Sequence, residues 1–353
     1  MSQHQAGAED MHYVVDDEWV GRRREEIIEP ALPIVDPHHH LWERPGGPRY
    51  LLPELLADIG SGHNVRATLF VECTSMYRTD GPFELMSLGE TEFANGIAAM
   101  SASGVYGPAR VCAGIIGYVD LQLGAAAREL LEAHLRVAGA RFRGVRNSVT
   151  WHADKSIKPT FRKPKTACPA GVLLDARFRE GFACLAPLGL SYDAWLFHTQ
   201  LDELNDLARA FPGTTIVTNH IGGAVGIGPY AGKRDEVFAD WKAKIVRLAQ
   251  NPNVYVKLGG LGMRVFGFGM GVGDREAPPS SEELAAAWRP YIETCIEAFG
   301  PQRCMFESNF PVDKGSCGYA VAWNAFKRLA SGASAQDKTD LFSATAMRAY
   351  KIS

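Results

Sequence analysis

"LSYDAWLFHTQLDELNDLARAFPGTTIVTNH" (residues 190–220) carries two periodicities in one stretch. Its ends, 190–198 and 214–220, are short apolar and β-branched runs of strand character, and each finishes on a histidine. Between them Leu201, Leu204, Leu207 and Ala208 recur at i, i+3, i+6 and i+7, one apolar stripe on an otherwise polar helix. Strand, helix and strand in that order call for parallel pairing through a crossover.

The unit recurs along the chain. Strand-like runs lie at 32–38, 66–73, 111–120, 142–149, 190–198, 214–220, 253–260 and 303–309, and stretches such as 124–139 and 281–300 carry helical spacing between them. Eight such units favour a closed (β/α)8 barrel over an open doubly wound sheet. No G-x-G-x-x-G follows the first run, which removes the usual support for a dinucleotide fold. The expected fold is therefore α/β, a TIM barrel spanning 31–353 as one domain behind an N-terminal extension, 1–30. Two stretches break the alternation. After the fourth run, 153–171 carries Lys155, Lys158, Arg162, Lys163 and Lys165; after the seventh, 260–279 is dense in glycine and holds Met263, Phe266, Phe268 and Met270. Both follow strands, the side on which barrel enzymes build their sites, so both are expected to lie over a substrate.

A hydrophobic content of 46% and a charged content of 22% suit a soluble globular chain with a sizeable core. The net charge of −3 provides no overall positive field for nucleic acid. The seven cysteines are scattered without a C-x-x-C pair and read as reduced thiols. The extension lacks the apolar core of a signal peptide, and no apolar run approaches the length of a membrane span. A cytoplasmic protein with neither nucleic acid nor membrane as partner is expected; a homo-oligomer stays open.

The chemistry begins at "IVDPHHHLW" (34–42). In an extended segment successive side chains alternate faces, so His38 and His40 share one face and His39 points away. Such a pair can aim two imidazoles at one point, as a metal ion requires. If the barrel is right, the other strand tips add Glu72, Arg146, His198, His220 and Asn309 to the same mouth. Arg146 either clamps a substrate carboxylate or forms a salt bridge across the barrel. Lys257 reads as structural, His152 as a surface residue and Cys73 as packing. Asp36 either orients an imidazole or serves the turn before Pro37.

In order along the chain, "VDPHHHLW", the histidine closing the fifth run, "TNHIGG", "VYVKLGG" and "SNFPVD" resemble the amidohydrolase superfamily, and within it the amidohydrolase-2 group of lactonases, related barrel hydrolases and decarboxylases. The resemblance implies that His38, His40 and His198 hold one divalent metal, zinc or manganese, and that His220 polarises a substrate carbonyl or helps activate water. The departure is at 308–311, where the family's Ser-Asp-aromatic-Pro reads Ser-Asn-Phe-Pro. Asn309 cannot act as a base, so either Glu72 or Asp313 takes the proton or the site works without a metal. The function expected is hydrolysis of a small carboxylated lactone. The alternatives are metal-dependent decarboxylation of an aromatic or unsaturated acid, and a barrel that binds ligand without catalysis.

Overall fold

The structure, a computed structural model, describes residues 11–43, 48–158 and 168–352. One sheet holds eight parallel strands in chain order. They are β1 (Pro33–His39), β2 (Asn64–Val71), β3 (Arg110–Gly117), β4 (Phe142–Ser148), β5 (Ser191–Trp195), β6 (Ile216–Thr218), β7 (Val254–Leu258) and β8 (Cys304–Phe306). The ring closes just beyond β8: His39 bridges Phe310 in parallel, and the His40 amide donates to the Phe310 carbonyl at 2.8 Å. This is the (β/α)8 barrel expected from the alternation. The helix expected between β5 and β6 is Leu201–Ala210, and its buried residues are Leu201, Leu204, Leu207 and Ala208, the apolar stripe.

Both faces of every strand are covered, as a parallel sheet requires. A large outer cluster packs strands against helices, while a smaller one contains Val35, Ala67, Leu69, Val71, Ile116, Val217 and Met305. Ala346, Ala349, Tyr350 and Ile352 belong to that smaller cluster, so the C-terminal helix (Thr345–Tyr350) packs against the barrel interior at the end where the strands begin. A bulge in β1 sets the histidines. Asp36 pairs with Thr68 and His39 with Phe70, so β1 takes three steps where β2 takes two. His39 consequently points outward against Phe70 and the Thr68 hydroxyl, with Nε2 2.9 Å from Oγ1.

From Met11 the extension straps the loops after β7 and β8. The Val265 amide donates to the Met11 carbonyl at 3.2 Å, Trp19 Nε1 to Glu276 O at 3.2 Å, and Asp17 pairs with Lys314 at 2.9 Å. Gly271 permits the closest approach, since a Cβ there would lie 2.2 Å from the Tyr13 ring. The first half of the 260–279 loop is core rather than flap: Leu261, Met263, Val265 and Phe266 are all buried. In the loop after β4, Lys155 and Lys158 are described, whereas Arg162, Lys163 and Lys165 lie outside the described residues. Among the described residues no helix is long and apolar enough to cross a membrane, and none of the cysteines forms a disulfide.

Candidate active site

Above the apolar layer of the barrel sits a charged one. Lys257 on β7 donates to Asp193 Oδ2 on β5 at 2.8 Å, and Asp193 also accepts from Tyr350 OH and Asn219 Nδ2. The next layer holds His38, His40, His220, Glu307, Arg146 and Glu72, none more than 2% exposed. Glu307 is its centre. Its Oε1 lies 2.7 Å from His220 Nδ1 and its Oε2 2.6 Å from His38 Nδ1. Lys257 Nζ stands 3.2 Å from the same His38 nitrogen. On the far edge of that ring, His38 Nε2 is 3.3 Å from His40 Nε2 and 3.2 Å from Arg146 Nη1. Arg146 Nε donates to Glu72 Oε1 at 2.9 Å, and its Nη2 donates to the Glu72 carbonyl.

Burial makes these imidazoles neutral. Desolvation drives His38 and His40 well below the usual range, with Lys257 adding to it at His38 and Arg146 at His40. Desolvation also lowers His220, against the opposing pull of Glu307. By formal charge, two basic side chains, Arg146 and Lys257, face three acidic ones, Glu72, Asp193 and Glu307, one acid more than the bases.

Turn geometry aims the side chains. His220 opens a short 3-10 turn (His220–Gly222) at φ 51°, a region non-glycine residues seldom adopt, and such strain gathers at functional positions. Opposite it, Gly259 and Gly260 at the tip of β7 leave the room: a Cβ on Gly260 would lie 2.2 Å from His220 Nδ1, and one on Gly259 2.5 Å from Glu307 Cγ. Asp36 ties the tips of β1 and β8, accepting from Ser308 N at 3.0 Å and Ser308 Oγ at 2.6 Å, and from His38 N at 3.3 Å. Burial pushes its carboxyl up to about 6 despite those donors.

Of the residues expected at the mouth, the structure brings His38, His40, His220, Arg146 and Glu72 together. It places two elsewhere. His198 begins a 3-10 turn (His198–Gln200) that directs its ring to Gly223 and the Tyr230 ring, in a cleft of about 560 Å³ shared with His152 and Asp240. Asn309, at φ 55°, turns its amide to Asp313 Oδ1 at 2.7 Å. Asp313 is buried and not solvent-facing; it also accepts from the Gly262 amide, and desolvation raises its carboxyl to about 8. Lys257, read as structural, and Glu307, unread, both stand in the site. A signal for Glu307 existed, because it shares the strand parity of Met305 and Asn309.

A divalent ion finds a suitable donor set here. Among the described residues, His38, His220 and Glu307 alone offer three ligand atoms within 4.8 Å of one another. Two neutral imidazoles and a carboxylate suit zinc or manganese, and the extra acid favours a cation. The His38–His40 edge is different, since the Arg146 guanidinium already occupies the cationic place there.

The amidohydrolase family model matches residues 35–352. The chain belongs to the amidohydrolase family. This amidohydrolase is 32% identical over 342 residues to the uncharacterized protein y4mH of Sinorhizobium fredii, an alignment covering 91% of this chain and 99% of that one. It is 27% identical over 249 residues to the L-fucono-1,5-lactonase of Burkholderia multivorans, covering 69% and 73% of the two chains. Among solved structures, an amidohydrolase from Burkholderia multivorans with bound zinc superposes with a TM-score of 0.67 at 23% identity, over 91% of this chain and 99% of that one.

Proposed function

We propose that this amidohydrolase opens a small lactone, using the Glu307–His220 pair to take a proton from water. The observation that carries the reading is the Glu307 carboxylate, one oxygen at hydrogen-bond distance from His220 Nδ1 and the other 2.6 Å from His38 Nδ1. A carboxylate at Nδ1 keeps the imidazole proton there, so His220 Nε2 carries the lone pair that accepts a proton. The carboxylate then steadies the imidazolium formed during attack, so the pair handles the proton that Asn309 cannot accept. The proton returns from Nε2 to the leaving alkoxide as the ring opens. Arg146, fixed by Glu72, offers a preorganised cation at the Nε2 edge of His38, across the ring from Glu307, for charge growing on the carbonyl oxygen.

His38, His220 and Glu307 are the residues that would hold a divalent metal, zinc or manganese; when bound it would polarise the ester carbonyl and acidify water in place of the His220–Glu307 proton relay, because ligating side chains cannot also carry that proton. Lys257, held by Asp193, sets the charge beneath His38 in either case.

Two observations bear on the ring's substituents. Lys155 and Lys158 in the loop after β4 favour a carboxylated lactone, as does electrostatic attraction at a barrel mouth. The fuconolactonase relative favours a sugar lactone. Arg146 adds less to the first than expected, because Glu72 engages its Nε and Nη2. The test is a panel of sugar lactones and carboxylated lactones, scored by proton release at near-neutral pH with and without added zinc or manganese. Ring opening of at least one class supports the reading. Release of carbon dioxide from aromatic acids without ring opening would instead make the protein a decarboxylase, and binding without turnover would make it a ligand-binding barrel.

A further inference from the structure

On the opposite face of the barrel, where the strands begin, lies a groove of about 540 Å³ lined by Arg110, Arg141, Arg143 and Ile352 over a floor of small residues such as Ala109 and Ala113. Among the described residues no carboxylate belongs to its lining. Many arginines of this chain instead meet an acid: Arg49 with Glu54, Arg78 with Glu92, Arg179 with Asp206, Arg275 with Glu283 and Arg348 with Asp340. Among the described residues, Arg141 in the groove donates to the amide oxygen of Asn95, at 2.9 Å, and to no acid, and Arg143 holds a buried Nε that meets no acceptor. Half-burial also works against the Arg143 charge, lowering its pKa by desolvation.

We infer that this groove is a binding site for a polyvalent oxyanion, a ligand bearing phosphate or several carboxylates. Three arginines line one cavity with no acid beside them among the described residues, a surplus of positive charge that favours something negative. Guanidinium forks match phosphate and carboxylate oxygens two at a time, which favours a ligand with several oxygens over a halide. The alanine and glycine floor, with Gly104 and Gly107 in the loop leading to β3, leaves room for the body of the ligand. The site is remote from the reaction. β4 carries Arg143 near its start and Arg146 toward its end, so an anion here steadies the strand that presents Arg146 to Glu72 without touching substrate. The inference stands independently of the lactonase reading.

The test is the melting temperature of the full chain at fixed ionic strength with pyrophosphate, citrate or chloride. A bound anion stabilises by mass action, so pyrophosphate or citrate at about a hundred times its Kd is expected to raise Tm by about 3 °C or more, and chloride is not. Pyrophosphate acting alone assigns phosphates; citrate acting as well assigns polycarboxylates too. Arg143→Met is expected to keep or raise Tm without anion, since no partner is lost, and to remove most of the anion response. Arg110→Gln, at an exposed position, carries the test if Arg143→Met fails to fold. Equal shifts with chloride, or an undiminished response in both variants, would overturn the site.

Discussion

Asn309 donates its amide hydrogen to Asp313 at 2.7 Å, and loss of that bond is one reason an aspartate at 309 is not expected to raise hydrolysis. Asn309→Asp replaces a donor by an acid facing another buried acid. The expected result is a loss of about 1–3 kcal/mol in urea denaturation and no gain in turnover. Asp313 itself gives a pH signature. Its folded pKa of about 8 lies above the unfolded value of 3.8, so between those values the folded state binds more protons and stability falls as pH rises. Asp313→Asn is expected to flatten that part of the profile, read by comparing unfolding free energies of both proteins at about pH 5 and pH 8.5. The sequence named position 309 as the departure because a motif drew the eye there. Strand parity puts Glu307 on the same face as Met305 and Asn309, but parity alone does not say which acid at a strand end meets an imidazole.

Elements decide direction, and here the sequence was legible in part. The alternation that separates His39 from His38 and His40 holds, and the bulge between Asp36 and His39 is what presents the pair inward. His39 is fully buried against Phe70 and Thr68. His39→Ala is therefore expected to cost roughly 2 kcal/mol or more through the cavity, with kcat per folded molecule unchanged. Loss of turnover with stability intact would refute the outward placement. His198 and His220 look alike in sequence, each closing a strand. They part because the 3-10 turn after β5 carries one ring to Tyr230, while a positive φ after β6 carries the other to Glu307. Turn conformation of this kind is set by packing, such as Gly260 against His220, and not by strand counting. Gly260→Ala, at φ +70° and 2.2 Å from that ring, is expected to lower kcat/KM more than tenfold.

At the scale of the whole molecule, eight strand–helix units sufficed to read the barrel, because parallel pairing leaves few other ways to bury both faces of such strands. Long-range straps were not legible: nothing in residues 11–30 announces contacts with loops near 265 and 276. Buried neutral histidines give the fold its acid limit. Desolvation lowers His63, His134 and His198 to about 4, so between that value and 6.5 the unfolded chain binds more protons and stability is lost as pH falls. Chemical denaturation midpoints should therefore drop from about pH 6.5 to pH 4. On the proposed mechanism Glu307, through His220, handles the proton that Asn309 cannot. The direct test is kcat/KM for the lactone found by the panel, in Glu307→Gln, Glu72→Gln and Asp313→Asn, each normalised to folded protein. Glutamine at 307 keeps the shape and loses the charge, so a fall of about 10²-fold or more is expected there, at a melting temperature close to that of the parent. Turnover within about threefold of the parent in Glu307→Gln, with a collapse in folded Glu72→Gln or Asp313→Asn, would contradict the account and return the proton to one of those two acids.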